Sequence, residues 1–278
     1  IKASREIEWR KEIPSLNIIL TSHIWQQDHN GYTHQDPGFL NHLATKKKDL
    51  IGLYLPADAN TLIVTINHIL KTTNKVNAVV ASKHERPEWL NMEQAIKHFK
   101  NGISIWNWAS DDNPDIVLAC AGDTPTLEVL AAKTILKEYI PELKVRVVNI
   151  VNLMKLDKES KEGLKDTEYD YIFTKDKPII FVFHGYPNLI KELTLDRNNK
   201  NITVLGYQEE GRITTPFDMR VLNKIDRFNI CLQVSNKIDD NIDKFNLINY
   251  CVKELIKHNI YIEENGKDME EVENWTWK

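Results

Sequence analysis

Long apolar runs are missing from this 278-residue sequence. The longest are short, such as IIFVF at 179–183, far below the roughly 20 residues that a helix needs to cross a bilayer, so no membrane partner is expected. Cysteine is scarce. Cys120, Cys231 and Cys251 stand apart, without the paired spacing of a metal site. An odd, sparse set argues against a disulfide framework and for a reducing compartment, hence a cytoplasmic location. An excess of one charge sign is absent too. With 36 basic and 40 acidic residues the formal net charge is −4, which leaves no general attraction to nucleic acid or to a membrane surface. No basic segment followed by an apolar one opens the chain, so no signal peptide is expected. Internal repeats and low-complexity stretches are also lacking. The chain opens on Ile1 rather than Met, and its first residues read as the middle of a longer polypeptide.

What is present is the balance of a soluble globular protein, long enough for one large domain or two ordinary ones. Residues 15–24 carry Leu16, Ile19, Leu20 and Ile24 at helical spacing behind Ser15, which predicts a short helix capped by that serine. A further helix can begin at Phe39. Strands are predicted at 50–55, 76–81 and 103–106. Between them, one helix runs from an Asp58 cap to about Lys71, with Leu62, Ile66, Ile69 and Leu70 on one face, and another spans 92–99. Asp111-Asp112-Asn113-Pro114 is a turn cluster without an apolar residue, and a domain boundary is placed there. Beyond it, strands are predicted at 116–121, 144–150, 179–183, 202–205 and 230–234. Helices are predicted from a Thr124 cap, with Pro125 at the first position, to about Tyr139, and at 187–194, 216–225 and 241–258. The last ten or so residues, acidic and rich in Trp, read as a tail packed on the surface. Apolar strands separated by amphipathic helices define an α/β fold: two domains, residues 1–111 and 112–278, with mostly parallel sheets flanked by helices.

The densest chemistry lies in SHIWQQDHNGYTHQDPGFL, residues 22–40. His29 and His34 are close enough in a loop to face one cavity, where imidazoles donate, accept and shuttle protons. Gln27, Asn30 and Gln35 can orient a hydroxylated substrate. The plainer alternative is a hydrogen-bonded structural loop with Asp28 and Asp36 as turn residues. A metal held by His29, His34 and Asp36 has no HExxH or paired-cysteine pattern behind it. Lys83 and Arg86, in a KHER segment after a predicted strand, can hold a phosphate, although charge runs are usually solvated. The Gly122–Pro125 turn lacks the glycines and lysine of a phosphate-cradling loop and reads as a helix cap. Cys120 reads as a small core residue. His184, at the strand end FHGYP, fits a functional and a structural role equally. Glu209, Glu210, Arg212, Asp218 and Arg220 are candidates for an ion-pair network.

SHIWQQDHNGYTHQDPGF (22–39) closely resembles the signature of bacterial and fungal phosphoketolases. The resemblance continues in YLPADAN (54–60), VVASKH (79–84), GDTPTLEVLAA (122–132), KVRVVNIVNLMKL (144–156), DKPIIFVFHGYP (176–187) and EEGRITTPFDMRVLNKIDRF (209–228), and so covers essentially the whole chain. It implies a lyase that uses thiamine diphosphate and Mg²⁺. Such an enzyme cleaves xylulose 5-phosphate, fructose 6-phosphate or both with inorganic phosphate, giving acetyl phosphate and an aldose phosphate. It implies a homodimer with the cofactor between subunits. Residues 1–111 would be the later part of a thiamine-diphosphate pyrimidine-binding domain, and 112–278 a transketolase-like, Rossmann-like C-terminal domain. By resemblance His29 and Asn30 line the substrate channel, His34 transfers protons, Gln27 helps line the pocket, and Lys83 stands near the substrate phosphate. The family's GDG motif and its activating glutamate do not occur here. The chain by itself is therefore expected to bind neither thiamine diphosphate nor Mg²⁺ and to be inactive. It would need the N-terminal diphosphate-binding and pyrimidine-binding segments, or a second subunit. Two other readings are a non-catalytic module that binds a sugar phosphate or stabilises a subunit, and a transketolase-type half-subunit. The latter is weaker, since QDHNGYTHQDPGF departs from the transketolase form.

Overall fold

The computed structural model describes residues 1–21, 23–26 and 37–277. Its strands are β1 (Leu16–Leu20), β2 (Ile51–Tyr54), β3 (Val76–Val80), β4 (Ile103–Ile105), β5 (Ile116–Ala121), β6 (Val145–Ile150), β7 (Ile179–Phe183) and β8 (Ile202–Leu205). Its helices are α1 (Lys2–Glu6), α2 (Gly38–Ala44), α3 (Ala59–Ile69), α4 (Met92–Asn101), α5 (Asp123–Tyr139), α6 (Asp166–Phe173), α7 (Pro187–Leu193), α8 (Pro216–Leu222), α9 (Arg227–Ser235), α10 (Ile242–Asn265) and α11 (Glu270–Glu273).

Two sheets result. One is wholly parallel in the order β1-β3-β2, and the other runs β4-β6-β5-β7-β8, with only β4 antiparallel to its neighbour. The expected α/β class with mostly parallel sheets is therefore what the chain forms. In β5 every residue is buried. Ile116, Leu118 and Cys120 join the core on one face, while Val117, Ala119 and Ala121 join the core on the other. A strand covered on both sides has no polar face to show, which is why it reads as a continuous apolar run. The sheets meet where Leu55 N–H donates to the Val151 carbonyl at 2.8 Å and Tyr54 bridges to Asn152. β4 precedes the Asp111–Pro114 turn cluster yet pairs with β6, Ile103 opposite Ile150.

Four local expectations are corrected. Residues 16–20 form strand β1, not a helix. Their apolar spacing suits either state over so short a run, and β3 supplies a ladder, Leu16 opposite Val76 through Leu20 opposite Val80. Ser15 caps no helix: its Oγ accepts from Lys75 N–H at 3.0 Å and from the Thr72 hydroxyl at 2.9 Å. Residues 230–234 lie in helix α9, not a strand. Asp226 caps it by accepting from the N–H groups of Phe228 and Asn229, and the helix packs between α5 and α10. The cap of α5 is Gly122 rather than Thr124. Leu70 is 70% exposed, and the buried residues of α3 are Thr61, Thr65 and Ile69.

Helix α6 has no counterpart among the sequence expectations. Tyr169 and Phe173 stack across one of its turns, with ring centroids 4.5 Å apart. The tail packs on the surface as expected. Trp275 lies against Trp89, and Trp277 stands edge-on to Trp108. Among the described residues no helix is long and apolar enough to cross a membrane.

Candidate functional site

In parallel sheets, ligands sit beyond the carboxyl ends of strands, where loops rather than side-chain stacks fill the space. Four such ends converge here. Strand β5 ends at Ala121, and Gly122 turns the chain at φ +106°, a conformation that suits glycine. A Cβ there would also stand 3.1 Å from the Cβ of His184. The turn makes Asp123 the first residue of α5. His184 follows β7, which pairs with β5 up to Ala121 opposite Phe183. His23 and Gln26 follow β1 in a short turn, and the Trp25 indole N–H pins that turn by donating to the His184 carbonyl at 3.0 Å. Arg86 arrives on the loop after β3.

These side chains meet at Asp123. His23 Nε2 donates to Asp123 Oδ1 at 2.5 Å, and Arg86 Nε donates to Oδ2 at 2.9 Å. Arg86 Nη2 also donates to the Thr124 hydroxyl at 2.7 Å. The His23 and His184 rings stand edge to face with centroids 4.6 Å apart. The Gln26 amide, oriented so that both its atoms are satisfied, presents its oxygen to Arg86 and donates to the Ser82 hydroxyl at 2.9 Å. His23, Asp123 and His184 are buried. Burial alone would raise the Asp123 carboxyl, but His23 and Arg86 outweigh it and hold it well below the usual carboxylate range. Burial, with His23 and Arg86 beside it, pushes the His184 imidazole down to about 3, so that ring is neutral near pH 7. Asp123 is thus a fixed, compensated anion rather than a proton carrier.

Two clefts flank the cluster and share Arg86 as a wall. One, of about 350 Å³, is lined by Pro56, Asp58, Ser82, Glu88 and Asp123 among others. The other, of about 970 Å³, is lined by Gln26, His84, Arg212, Thr214 and Lys267 among others. Among the described residues, His23, Asp123 and His184 are the one group whose ligand-capable atoms lie together, within 4.8 Å of one another. The set suits Mg²⁺ poorly. That ion takes hard oxygen ligands in octahedral array, whereas here two imidazoles stand beside a single carboxylate already bound by a guanidinium.

Four of the sequence-predicted site residues, Gln27, His29, Asn30 and His34, lie outside the described residues, as does Asp36 of the alternative metal set. The flanks of that segment are described: Gln26 belongs to the cluster, and Pro37 precedes α2. Lys83 is exposed on the loop after β3, three residues before Arg86, and its ammonium makes no ion pair among the described residues. Cys120 is buried and free, its thiol pushed up to about 11 by burial, as a small core residue should be. The expected 209–220 network does not form as one unit. Arg212 reaches Asp218 at 4.0 Å, Glu209 accepts from the Tyr186 hydroxyl, and Arg220 turns inward to Glu128. The grouping of His23, Asp123 and Arg86 escaped sequence reasoning. The available signal was positional: each follows the end of an apolar parallel strand.

Comparison with known proteins gives a consistent result. Residues 83–277 match the family model described as the XFP C-terminal domain, and residues 1–72 match that of D-xylulose 5-phosphate/D-fructose 6-phosphate phosphoketolase. A probable phosphoketolase of Clostridium acetobutylicum is 53% identical over 283 aligned residues, covering 100% of this chain and 36% of the relative. Probable phosphoketolase 1 of Rhizobium meliloti is 51% identical with the same coverage. The chain thus spans about a third of the length of the curated relatives it matches. Among solved structures, transketolase from Leishmania mexicana superposes with a TM-score of 0.58 at 16% identity, over 74% of this chain and 27% of that one. Transketolase from Campylobacter jejuni gives 0.56 at 16%, over 80% and 31%. A split gene transketolase described as an inactive β4 tetramer gives 0.54 at 11%, over 80% and 65%. At these identities the structural likeness concerns the fold.

Proposed function

The chain belongs to the phosphoketolase family, and from that premise we propose that it supplies the carboxyl-terminal part of an enzyme that cleaves xylulose 5-phosphate, fructose 6-phosphate or both with inorganic phosphate, forming acetyl phosphate and an aldose phosphate. The observation that carries this reading is identity of about half over the full length of the chain with relatives named phosphoketolase. In this reading residues 1–111 complete a pyrimidine-binding domain, residues 112–278 form the C-terminal domain, and the whole enzyme is a cytoplasmic homodimer.

The roles follow from side-chain chemistry. His29 and His34 take a proton from a substrate hydroxyl and return one to a departing hydroxyl, tasks that suit groups titrating near neutrality. Gln27 and Asn30 fix the orientation of the sugar chain by hydrogen bonds. Lys83, exposed and without an ion pair among the described residues, offers a point charge to a phosphate dianion. Thiamine diphosphate with Mg²⁺ would supply the electron sink that C–C cleavage needs. The His23, Asp123 and His184 set does not suit Mg²⁺, and in this reading the diphosphate and metal are held by segments that this chain would meet in the whole enzyme. By itself the chain is inactive in this reading, since the family's GDG motif and activating glutamate do not occur in it.

The test is a chimera in which this chain replaces the matching third of the Clostridium acetobutylicum relative. Acetyl phosphate formation from each sugar phosphate is expected in the chimera and not in the isolated chain. His34→Ala in the chimera should lower turnover by about 100-fold or more without shifting its thermal midpoint. A folded chimera that makes no acetyl phosphate sinks the assignment in favour of a non-catalytic module. Near-normal turnover of the His34 variant sinks the role of that residue.

A further inference from the structure

Strand β4 stands at the end of its sheet, in the order β4-β6-β5-β7-β8, so only one of its edges is paired. The pairing uses alternate residues. The Gly102 carbonyl accepts from Val151 N–H at 2.9 Å, and Trp106 N–H donates to the Val147 carbonyl at 3.0 Å. Between them, Ser104 lies opposite Asn149. In an antiparallel ladder the intervening residues turn their N–H and C=O groups the other way. Those of Ile103 and Ile105 therefore face away from β6.

This open edge floors a cleft of about 920 Å³. The cleft shares no lining residue with the two clefts beside Asp123. Its walls are helices α4 and α6, which cover opposite faces of the strand. Ile103 joins the core that holds Tyr169 and Phe173 of α6, while Trp106 joins the core that holds Ala95 of α4. A space bounded by both helices thus opens along the edge between them.

The two walls differ in chemistry. α4 presents Lys97 and Lys100, and Lys155 stands beside Gly102 at the amino end of β4. None of these three ammonium groups forms an ion pair among the described residues. The acidic side chain that lines the cleft, Glu168, is occupied, since its carboxylate accepts from Lys165 N–H at 2.8 Å. The α6 wall is otherwise largely apolar, with Leu164, Ile172 and a Tyr171 that is 73% exposed.

We propose that this cleft captures an extended acidic segment of another polypeptide, which adds to β4 as a further strand of the sheet. Successive side chains of a strand point to opposite faces. A segment that alternates acidic and apolar residues therefore meets the lysines on one side and Tyr171 and Ile172 on the other. Main-chain bonds to Ile103 and Ile105 supply affinity, and the alternating side chains supply choice. A second copy of this chain fits less well, because two β4 edges brought together would bring their lysines together too.

The test uses a fluorescent peptide of about nine residues that alternates Glu and Val, long enough for one strand. Its anisotropy is followed with the 278-residue chain and with the chimera. Saturable binding to both is expected, weakening as salt rises, with slower amide exchange at Ile103 and Ile105 and none of that change in α10. Lys97→Glu combined with Lys100→Glu, both on the surface, should weaken binding by about tenfold or more. Ile105→Pro removes an outward N–H at an edge where proline is tolerated and should weaken it similarly. Methylating the amide nitrogens of every Glu, or of every Val, blocks one edge of the peptide each, and one of these two peptides should fail to bind.

No binding to either protein overturns the proposal. So does equal binding of a peptide with Lys in place of Glu, or a folded lysine double variant that binds like the parent. If both methylated peptides bind as the parent does, the contact is charge alone and strand addition is overturned. Binding to the chain but not to the chimera would mean that the enzyme's own remaining segments fill the cleft, which overturns a separate partner. Dimerisation of the chain that Ile105→Pro abolishes would install a second copy as the occupant and overturn it likewise. Should Ile105→Pro fail to fold by circular dichroism, the lysine variant and the methylated peptides decide.

Discussion

At the scale of single residues, the boldest feature is a carboxylate buried among cations. Glu128 is fully buried in α5. It accepts from Arg220 Nη1 at 2.7 Å, from Arg227 Nε at 3.0 Å and from the Arg227 backbone N–H at 2.8 Å. Burial alone would raise its carboxyl, but the two guanidiniums hold it below the usual range. Glu128→Ala leaves two buried cations uncompensated and is expected to cost about 3–5 kcal/mol, read from urea unfolding; a loss under about 1 kcal/mol would show that water or rearrangement satisfies the arginines. This grouping was not legible in the sequence. Arg220 has acidic neighbours at 209, 210 and 218, which drew the expected pairing, while its true partner lies 92 residues away. Pairing of charges depends on which helices touch, and no local pattern encodes that. The same limit explains why Asp123 read as part of a cap: its partners are 37 and 100 residues distant.

Among secondary-structure elements, capping and burial pattern separate what was legible from what was not. α3 begins where expected because Asp58 accepts from Thr61 N–H at 2.8 Å, and α4 ends where expected because Gly102 takes the left-handed conformation, φ +75°. The errors fell on β1 and α9. Each is short and apolar, and periodicity cannot tell a buried strand from a buried helix over so few residues. The neighbouring elements decide it: β3 offers β1 a ladder, while α5 and α10 offer α9 a groove. Asp58 also shows that one cap can serve two elements, since its second oxygen holds the loop before α4. Asp58→Ala should therefore cost about 2–4 kcal/mol, a lost cap together with two orphaned N–H groups. Asp58→Asn, which keeps one acceptor, should cost less. Equal thermal midpoints for the two variants would contradict the dual role.

At the scale of the molecule, the fold class was legible because strands buried on both faces leave a plain signature, and the pairing of β4 with β6 across the Asp111–Pro114 turn was not. Stability against pH is also a property of the whole. Burial pushes His184 down to about 3 and His98 down to about 4, from an ordinary value of 6.5. For both, the unfolded chain binds the proton first, so stability is flat above about pH 6.5 and falls as pH drops below it. Each contributes a slope of about 1.4 kcal/mol per pH unit until its folded value is reached. Asp226 acts oppositely. Burial raises it from 3.8 to about 6, so below pH 6 the folded state takes up its proton first and offsets part of the loss down to about 3.8. Glu128 and Asp123 are both held low, so below their ordinary values of 4.5 and 3.8 the unfolded chain takes up the proton first and stability falls again. Urea midpoints from pH 8 to pH 5 should show a plateau and then a decline, shallower in His98→Gln. A midpoint that rises on acidification between pH 6.5 and 6 would contradict the assignment.

The pairing of β4 with β6 also sets an order in time. A chain emerging amino end first delivers Ile103–Ile105 before its partner Val148–Ile150 exists. The strands β1, β2 and β3 find one another early, since all three are complete by Val80. β4 must wait for more than forty further residues, and its edge stays open meanwhile. The later half of the chain therefore finishes the earlier half. A ribosome that paused near the Asp111–Pro114 turn would hold out a strand with nothing to join.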